Sequence, residues 1–175
     1  MTPSKSPLAR RLLAGVAALL LVPSIASAQQ ACLQPAEKTA FDIRALQSQL
    51  LVAALACGQH DDYNAFVRKN QAELATAFRN LGSYFRRTAG AQHQRQLDQY
   101  ITELANSQSR MSIDRGSFFC REQVPLFQAA MAANGANELS QVSVTRQVHQ
   151  SLTAQACPAP APRQGQQRAS SQPAR

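Results

Sequence analysis

The sequence predicts an all-α protein, an antiparallel four- to five-helix bundle with two disulfides. Three observations predict it. Apolar residues recur at three- and four-residue steps through most of residues 43–131, the spacing of one face of an α-helix. Start and stop signals bracket those stripes, with Pro35 and Asp61-Asp62 at starts and Gly58, Gly90 and Asn134-Gly135 at stops. Four cysteines, Cys32, Cys57, Cys120 and Cys157, sit at or near the ends of the stripes.

The first helix is expected over Pro35–Cys57. Pro35 suits the first turn, and Glu37 faces the positive end of the helix dipole. Ile43, Leu46, Leu50, Ala54 and Cys57 form its apolar stripe, and Gly58 suits a left-handed C-terminal cap. Asp61 and Asp62 then cap a second helix with the stripe Tyr63, Val67, Leu74, Phe78, Leu81 and Phe85. Gly82 weakens it by about 1 kcal/mol relative to Ala and marks a place for a bend. A third helix runs from about Gln92 to Arg110 on Leu97, Ile101, Leu104 and Met111. A fourth carries Cys120, Val124, Phe127 and Met131, either kinked at Pro125 or starting afresh near Gln123. Beyond Gly135, Val142, Thr145, Val148 and Leu152 fit a fifth helix, which is the expectation. The β-branched density there also fits an extended segment.

The ends differ from the middle. Residues 1–28 read as a cleaved export signal: Lys5, Arg10 and Arg11 precede the apolar run Leu12–Ile25, and Ala26-Ser27-Ala28 supplies the small cleavage residues. The general secretory route is favoured over the twin-arginine route, whose pattern Arg10-Arg11 fits loosely. Residues 29–157 are then the disulfide-braced domain. Residues 158–175, rich in Pro, Gln and Arg without a large apolar side chain, read as a disordered tail. Of the 18 Lys and Arg in the chain, six fall in these two ends and none of the 10 acids does, so residues 29–157 carry only +2. The basic character therefore gives no support to a nucleic-acid surface.

Export places the cysteines in an oxidising compartment, where disulfides are the expected state. No pair has the C-x-x-C spacing of a redox or zinc site. In an up-down-up-down bundle the first and fourth helices are antiparallel neighbours. Cys57 ends the first and Cys120 begins the fourth, so the expected bonds are Cys57–Cys120 and, at the opposite end, Cys32–Cys157.

Catalytic motifs are missing. The chain has no G-x-S-x-G elbow, no phosphate-binding loop, no G-x-G-x-x-G and no H-E-x-x-H. His60 beside Asp61 and Asp62 is better explained by helix capping than by a metal. His93 and His149 lack ligand-spaced partners. Asp98 and Glu103 do not share a helical face, and Asp114 and Glu122 have no assigned geometry. No cofactor, metal or catalytic residue is expected. Arg68, Arg79 and Arg86 fall within about 20° of one line on a continuous helix, with Lys69 and Arg87 alongside, and form a candidate anion-binding ridge. Tyr84-Phe85 and Phe118-Phe119 read first as core.

The signal, the cysteine before the first helix, the run LLVAALACG, the segments YNAFV and YITELAN, and FFC together resemble small exported bacterial four-cysteine helical proteins. The resemblance covers most of residues 32–131 and implies neither an activity nor site residues. The expected function is a non-enzymatic, periplasmic or secreted binding module of the cell envelope. Its partner would be an envelope protein or lipid, without nucleic acid and without a transmembrane segment after signal cleavage. A small cell-wall hydrolase and a lipid-binding helical domain are the alternatives.

Overall fold

The computed structural model describes residues 32–158. The signal at 1–28 and the tail from residue 159 onward lie outside those described residues. Within them the protein is mostly helical. Its elements are α1 (Pro35–Cys57), α2 (His60–Lys69), α3 (Gln71–Ala89), a 3₁₀ turn (Gly90–Gln92), α4 (His93–Arg115), α5 (Ser117–Ala132) and α6 (Gly135–Thr145).

Helix α1 starts where the local chemistry directs. Pro35 occupies the first turn, and Glu37 accepts the Gln34 backbone N–H at 2.8 Å, which satisfies a donor the helix itself cannot pair. Gly58 ends it at φ 70°, where its N–H returns to the Ala54 carbonyl. That left-handed turn favours glycine because a Cβ would crowd the next carbonyl.

The second predicted helix is two helices. Asn70 is buried at the break, and its side chain and its own N–H both bond the Phe66 carbonyl, at 3.0 and 3.1 Å. An Asn side chain that bonds nearby backbone offers an alternative to helical continuation. Next to it, Lys69 donates to the carbonyls of Met131 and Ala133 at the end of α5, a favourable place for a cation. Gly82, by contrast, lies inside unbroken α3. A Cβ there would come 3.3 Å from the Arg86 guanidinium, which lies over it.

Pro125 also sits inside an unbroken helix, α5. Pro125 and Arg121, one turn earlier, are both exposed, so the carbonyl deprived of its partner faces water. Asn134-Gly135 separates two helices and opens α6, where the Asn134 N–H donates to Glu138 at 2.7 Å. The expected fifth helix stops at Thr145, short of Val148 and Leu152. Gln147, at φ 51°, turns the chain out of the helix. Residues 148–157 then run without helix and join Leu33 through hydrogen bonds from Leu33 to Gln155 and from Cys157 to Leu33, each 2.8 Å.

Helix α1 is the centre of the fold and packs against every other α-helix. By length and composition it alone among the described residues could cross a membrane, yet over half of its most apolar window is buried inside the protein. Phe41 of α1 meets Tyr84 and Phe85 of α3 and Tyr100 of α4, with ring centroids 5.0, 6.1 and 4.9 Å away. Two of these contacts are edge-on, a favoured aromatic geometry. Leu46, Leu50, Leu81, Leu104, Phe66, Phe119 and Leu139 are fully or nearly fully buried around the rest of α1. Two large apolar residues of the expected stripes stand out instead: Phe78 is 49% exposed and Val124 44%. In α3 the small Ala77 takes the inward place beside Leu81, which leaves Phe78 at the edge.

Cys57 is bonded to Cys120 and Cys32 to Cys157. The first bond joins the end of α1 to the first turn of α5. The second closes residues 32–157 into one loop. Two such bonds suit an oxidising compartment.

Candidate functional site

One cleft collects the polar chemistry of the fold. It holds about 240 Å³ and lies where the end of α4, the start of α5 and residues Arg146–His149 come together over α1. Each wall is fixed by a different local cause.

The inner wall is Gln49. It occupies the α1 row of Phe41 and Ala45, which faces the core, and is only 4% exposed. Its Nε2 donates to Gln123 Oε1 at 3.3 Å, while its own Oε1 has no hydrogen-bond partner among the described residues. Leaving a buried acceptor unpaired costs about 1–3 kcal/mol. Phe119 and Leu126 give the α5 side an apolar surface, and Met111 and Val148 extend it.

The rim is charged. Arg115, in the last turn of α4, and Glu122 of α5 form an ion pair at 2.5 Å. Arg146 caps α6, and no ion pair to its guanidinium occurs among the described residues. Gln147 and His149 complete the rim from the segment after α6. Gln147 is the single positive-φ residue other than glycine among the described residues. Its N–H and that of Val148 bond the carbonyls of Val144 and Ser143, at 3.1 and 2.9 Å. This is the double-bonded helix ending that ordinarily takes glycine.

Buried amides beneath the rim hold that segment. Gln108 is fully buried, and its Nε2 donates to the carbonyls of Ala45 and His149 at 3.1 and 3.0 Å. Gln150 donates to the Phe41 carbonyl at 3.0 Å and accepts the Tyr100 hydroxyl at 3.1 Å. Burial pushes the Tyr100 hydroxyl above the ordinary tyrosine range. Nearby, burial lowers the pKa of the Arg44 guanidinium, which donates to Gln47 at 3.0 Å. A second depression, about 570 Å³, lies beside Tyr84 and Leu152–Ala156 and is lined by no charged side chain among the described residues.

The structure distributes the residues singled out by sequence. Arg79 and Arg86 are exposed on α3, seven positions apart, and bond Thr76 and Ser83 of the same helix at 2.8 and 3.0 Å. Arg68 lies on α2, across the break at Asn70, so the single-helix arithmetic holds for Arg79 and Arg86 alone. Arg87 turns inward to pair with Glu37. Asp98 and Glu103 are exposed and bonded separately by Gln94 and Gln99. No three His, Cys, Asp or Glu side chains assemble as a metal-ligand set among the described residues. Phe119 is core, whereas Phe118 is 61% exposed with the Arg121 guanidinium 4.9 Å above its ring.

Sequence reasoning passed over the three glutamines of the cleft. Gln49 did carry a signal, since it interrupts the otherwise apolar inward row Phe41, Ala45, Ala53. Gln123 and Gln147 carried none. No family model, curated protein or solved structure matches this chain.

Proposed function

We propose that this protein is a non-enzymatic binding module of the cell envelope, exported and oxidised, which holds a polar component of that compartment in the glutamine-walled cleft. In this reading the helices form an antiparallel bundle. The disulfide at Cys57 and Cys120 keeps the cleft walls in register.

The observation that carries the proposal is the rigid mounting of a polar cleft. Gln49 and Gln123 stand on two helices clamped by a disulfide, and Gln108 fixes the opposing rim. A site held by packed helices and second-layer hydrogen bonds is pre-organised, which favours affinity because little ordering remains to be done on binding. The same cleft suits catalysis poorly. Its carboxylate, Glu122, is half exposed and paired with Arg115, the opposite of the apolar setting that tunes a general acid.

Immobilised, oxidised protein exposed to detergent-solubilised envelope extract at low salt tests this. The expected result is retention of one component by the native chain and its loss from Arg146→Gln. Retention of nothing specific, or capture that Arg146→Gln leaves unchanged, counts against the proposal. Turnover of purified wall polymer would replace it with the hydrolase reading, and lipid in native mass spectra with the lipid-carrier reading.

A further inference from the structure

We infer that the cleft recognises the carboxylate end of an acylated amino acid, the group found in a small free peptide or at a protein C-terminus. This rests on the binding reading above and deepens it. Three features select that chemistry.

The first is charge. Arg115 is already paired with Glu122, and Arg146 is a rim cation without an ion pair among the described residues. A guanidinium takes a carboxylate through two parallel N–H bonds, and His149, which also lines the cleft, has a ring N–H to donate.

The second is the amide wall. Gln49, Gln123 and Gln147 each offer a donor and an acceptor. Gln49 Oε1 has none of its acceptor capacity used among the described residues. That oxygen is enclosed, so the N–H that an acyl-amide supplies next to its carboxylate falls to the exposed Gln147 Oε1 on the rim. Phe119, Leu126 and Val148 then receive an apolar side chain. The cleft volume of about 240 Å³ leaves room for one acylated residue.

The third is Gln147. A glycine would relieve its left-handed backbone, yet a long amide side chain stands there and faces the cleft. Backbone strain of this kind persists where the side chain serves a site.

Calorimetric titration of the oxidised chain with N-acetyl-leucine, N-acetyl-leucinamide and a longer peptide ending in Leu tests the inference. N-acetyl-leucine should bind, and its amide should bind about tenfold more weakly or worse, the loss expected for a charge-assisted pair. Arg146→Gln should lose as much, and Gln147→Gly should lose affinity without losing fold. Arg95→Gln, exposed on α4 and outside the lining of the cleft, should bind as the native chain does. Binding of the longer peptide supports the inference with a protein C-terminus as source. Its exclusion while N-acetyl-leucine binds supports it with a free small peptide as source. Equal affinity for acid and amide, or an unaffected Arg146→Gln, overturns it. If the acid fails to bind while envelope extract still yields a component lost from Arg146→Gln, the carboxylate assignment falls and the binding reading stands. If both fail, both fall.

Discussion

Gln108 fixes His149: a side chain at the centre of the fold donates through Nε2 to a carbonyl on the rim of the cleft, at 3.0 Å. The same Nε2 donates to Ala45 of α1. One turn before Ala45, the Phe41 carbonyl accepts Gln150, and one turn after it Gln49 meets Gln123. Three successive turns of α1 therefore carry one polar seam. Helix carbonyls keep a second lone pair after their own ladder bond, and the glutamines use it to fasten a segment that has no helix of its own.

Replacing Gln108 with Leu removes both bonds in one step. The His149 carbonyl is left without its partner, a cost of about 1–3 kcal/mol. The expected result is a lower urea midpoint together with faster amide exchange at residues 147–151 than in α1. Uniform exchange across both regions would show that Gln108 is not a local fastener.

Most of the helical outline was legible because its causes are local. Pro35, Gly58 and Asn134-Gly135 act through their own backbone preferences, which a sequence displays directly. The break at Asn70 was hidden because Val67 and Leu74 stand seven apart, so the apolar stripe continues in phase across it. What breaks the helix is a side chain bonding backwards to Phe66 and a lysine reaching α5, and the second partner is tertiary. Pro125 left two readings open for the converse reason: its penalty depends on whether the freed carbonyl meets water, which exposure decides, and the helix runs through it. The Cys57–Cys120 bond was legible because one cysteine ends α1 and the other lies in the first turn of α5. The cleft was not, because Gln49, Gln123 and Gln147 belong to three distant stretches and glutamine carries no spacing signature.

Gln147→Gly is expected to stabilise the protein. At φ 51° a residue with a Cβ is strained by about 1 kcal/mol, partly offset by the greater freedom of glycine in the unfolded chain. A net gain of about 0.5 kcal/mol corresponds to a rise of about 1–2 °C in melting temperature. Calorimetry checks it, and a lower melting temperature would show that the side chain contributes more to the fold than its backbone costs.

Glu37 links three parts of the chain near the Cys32–Cys157 bond. It accepts the Gln34 N–H and receives Arg87 through two nitrogens, while Arg87 also reaches the Cys32 carbonyl. Glu37→Ala should cost about 2–3 kcal/mol, because it leaves a half-buried guanidinium without its carboxylate and a helix start without its cap. The double variant Glu37→Ala, Arg87→Met should recover part of that loss. Additive losses in the cycle would mean the two residues act independently.

The disulfides close separations of 125 and 63 residues, and chain entropy assigns each about 4–5 kcal/mol. Each is therefore a large share of a typical net stability of about 5–15 kcal/mol. The two should differ in their consequences. Cys57→Ser with Cys120→Ser releases the wall that carries Phe119 and Gln123, so ligand affinity should fall with stability. Cys32→Ser with Cys157→Ser frees residues near Cys157 from the start of α1 and should lower stability with less effect on the cleft. Comparing urea midpoints with titrations of the two double variants separates these outcomes.

Tyr100 makes stability fall in alkali. Burial holds its hydroxyl protonated above the ordinary value of 10.0, since a phenolate in the core would lose its hydration. The unfolded chain gives up this proton at lower pH than the folded one. The resulting stability is complete below the unfolded value and is lost as pH rises from there through the folded value, by up to about 1.4 kcal/mol per pH unit. Tyr100→Phe loses the bond to Gln150 and should be weaker near neutrality by about 1 kcal/mol. It should also lose less on going to high pH, because no phenol remains at that position. Urea midpoints for both proteins at about pH 8 and about pH 11, on either side of the ordinary tyrosine range, measure the difference. Parallel declines would place the alkaline sensitivity elsewhere, with Tyr84, whose hydroxyl burial also raises, as the next residue to replace.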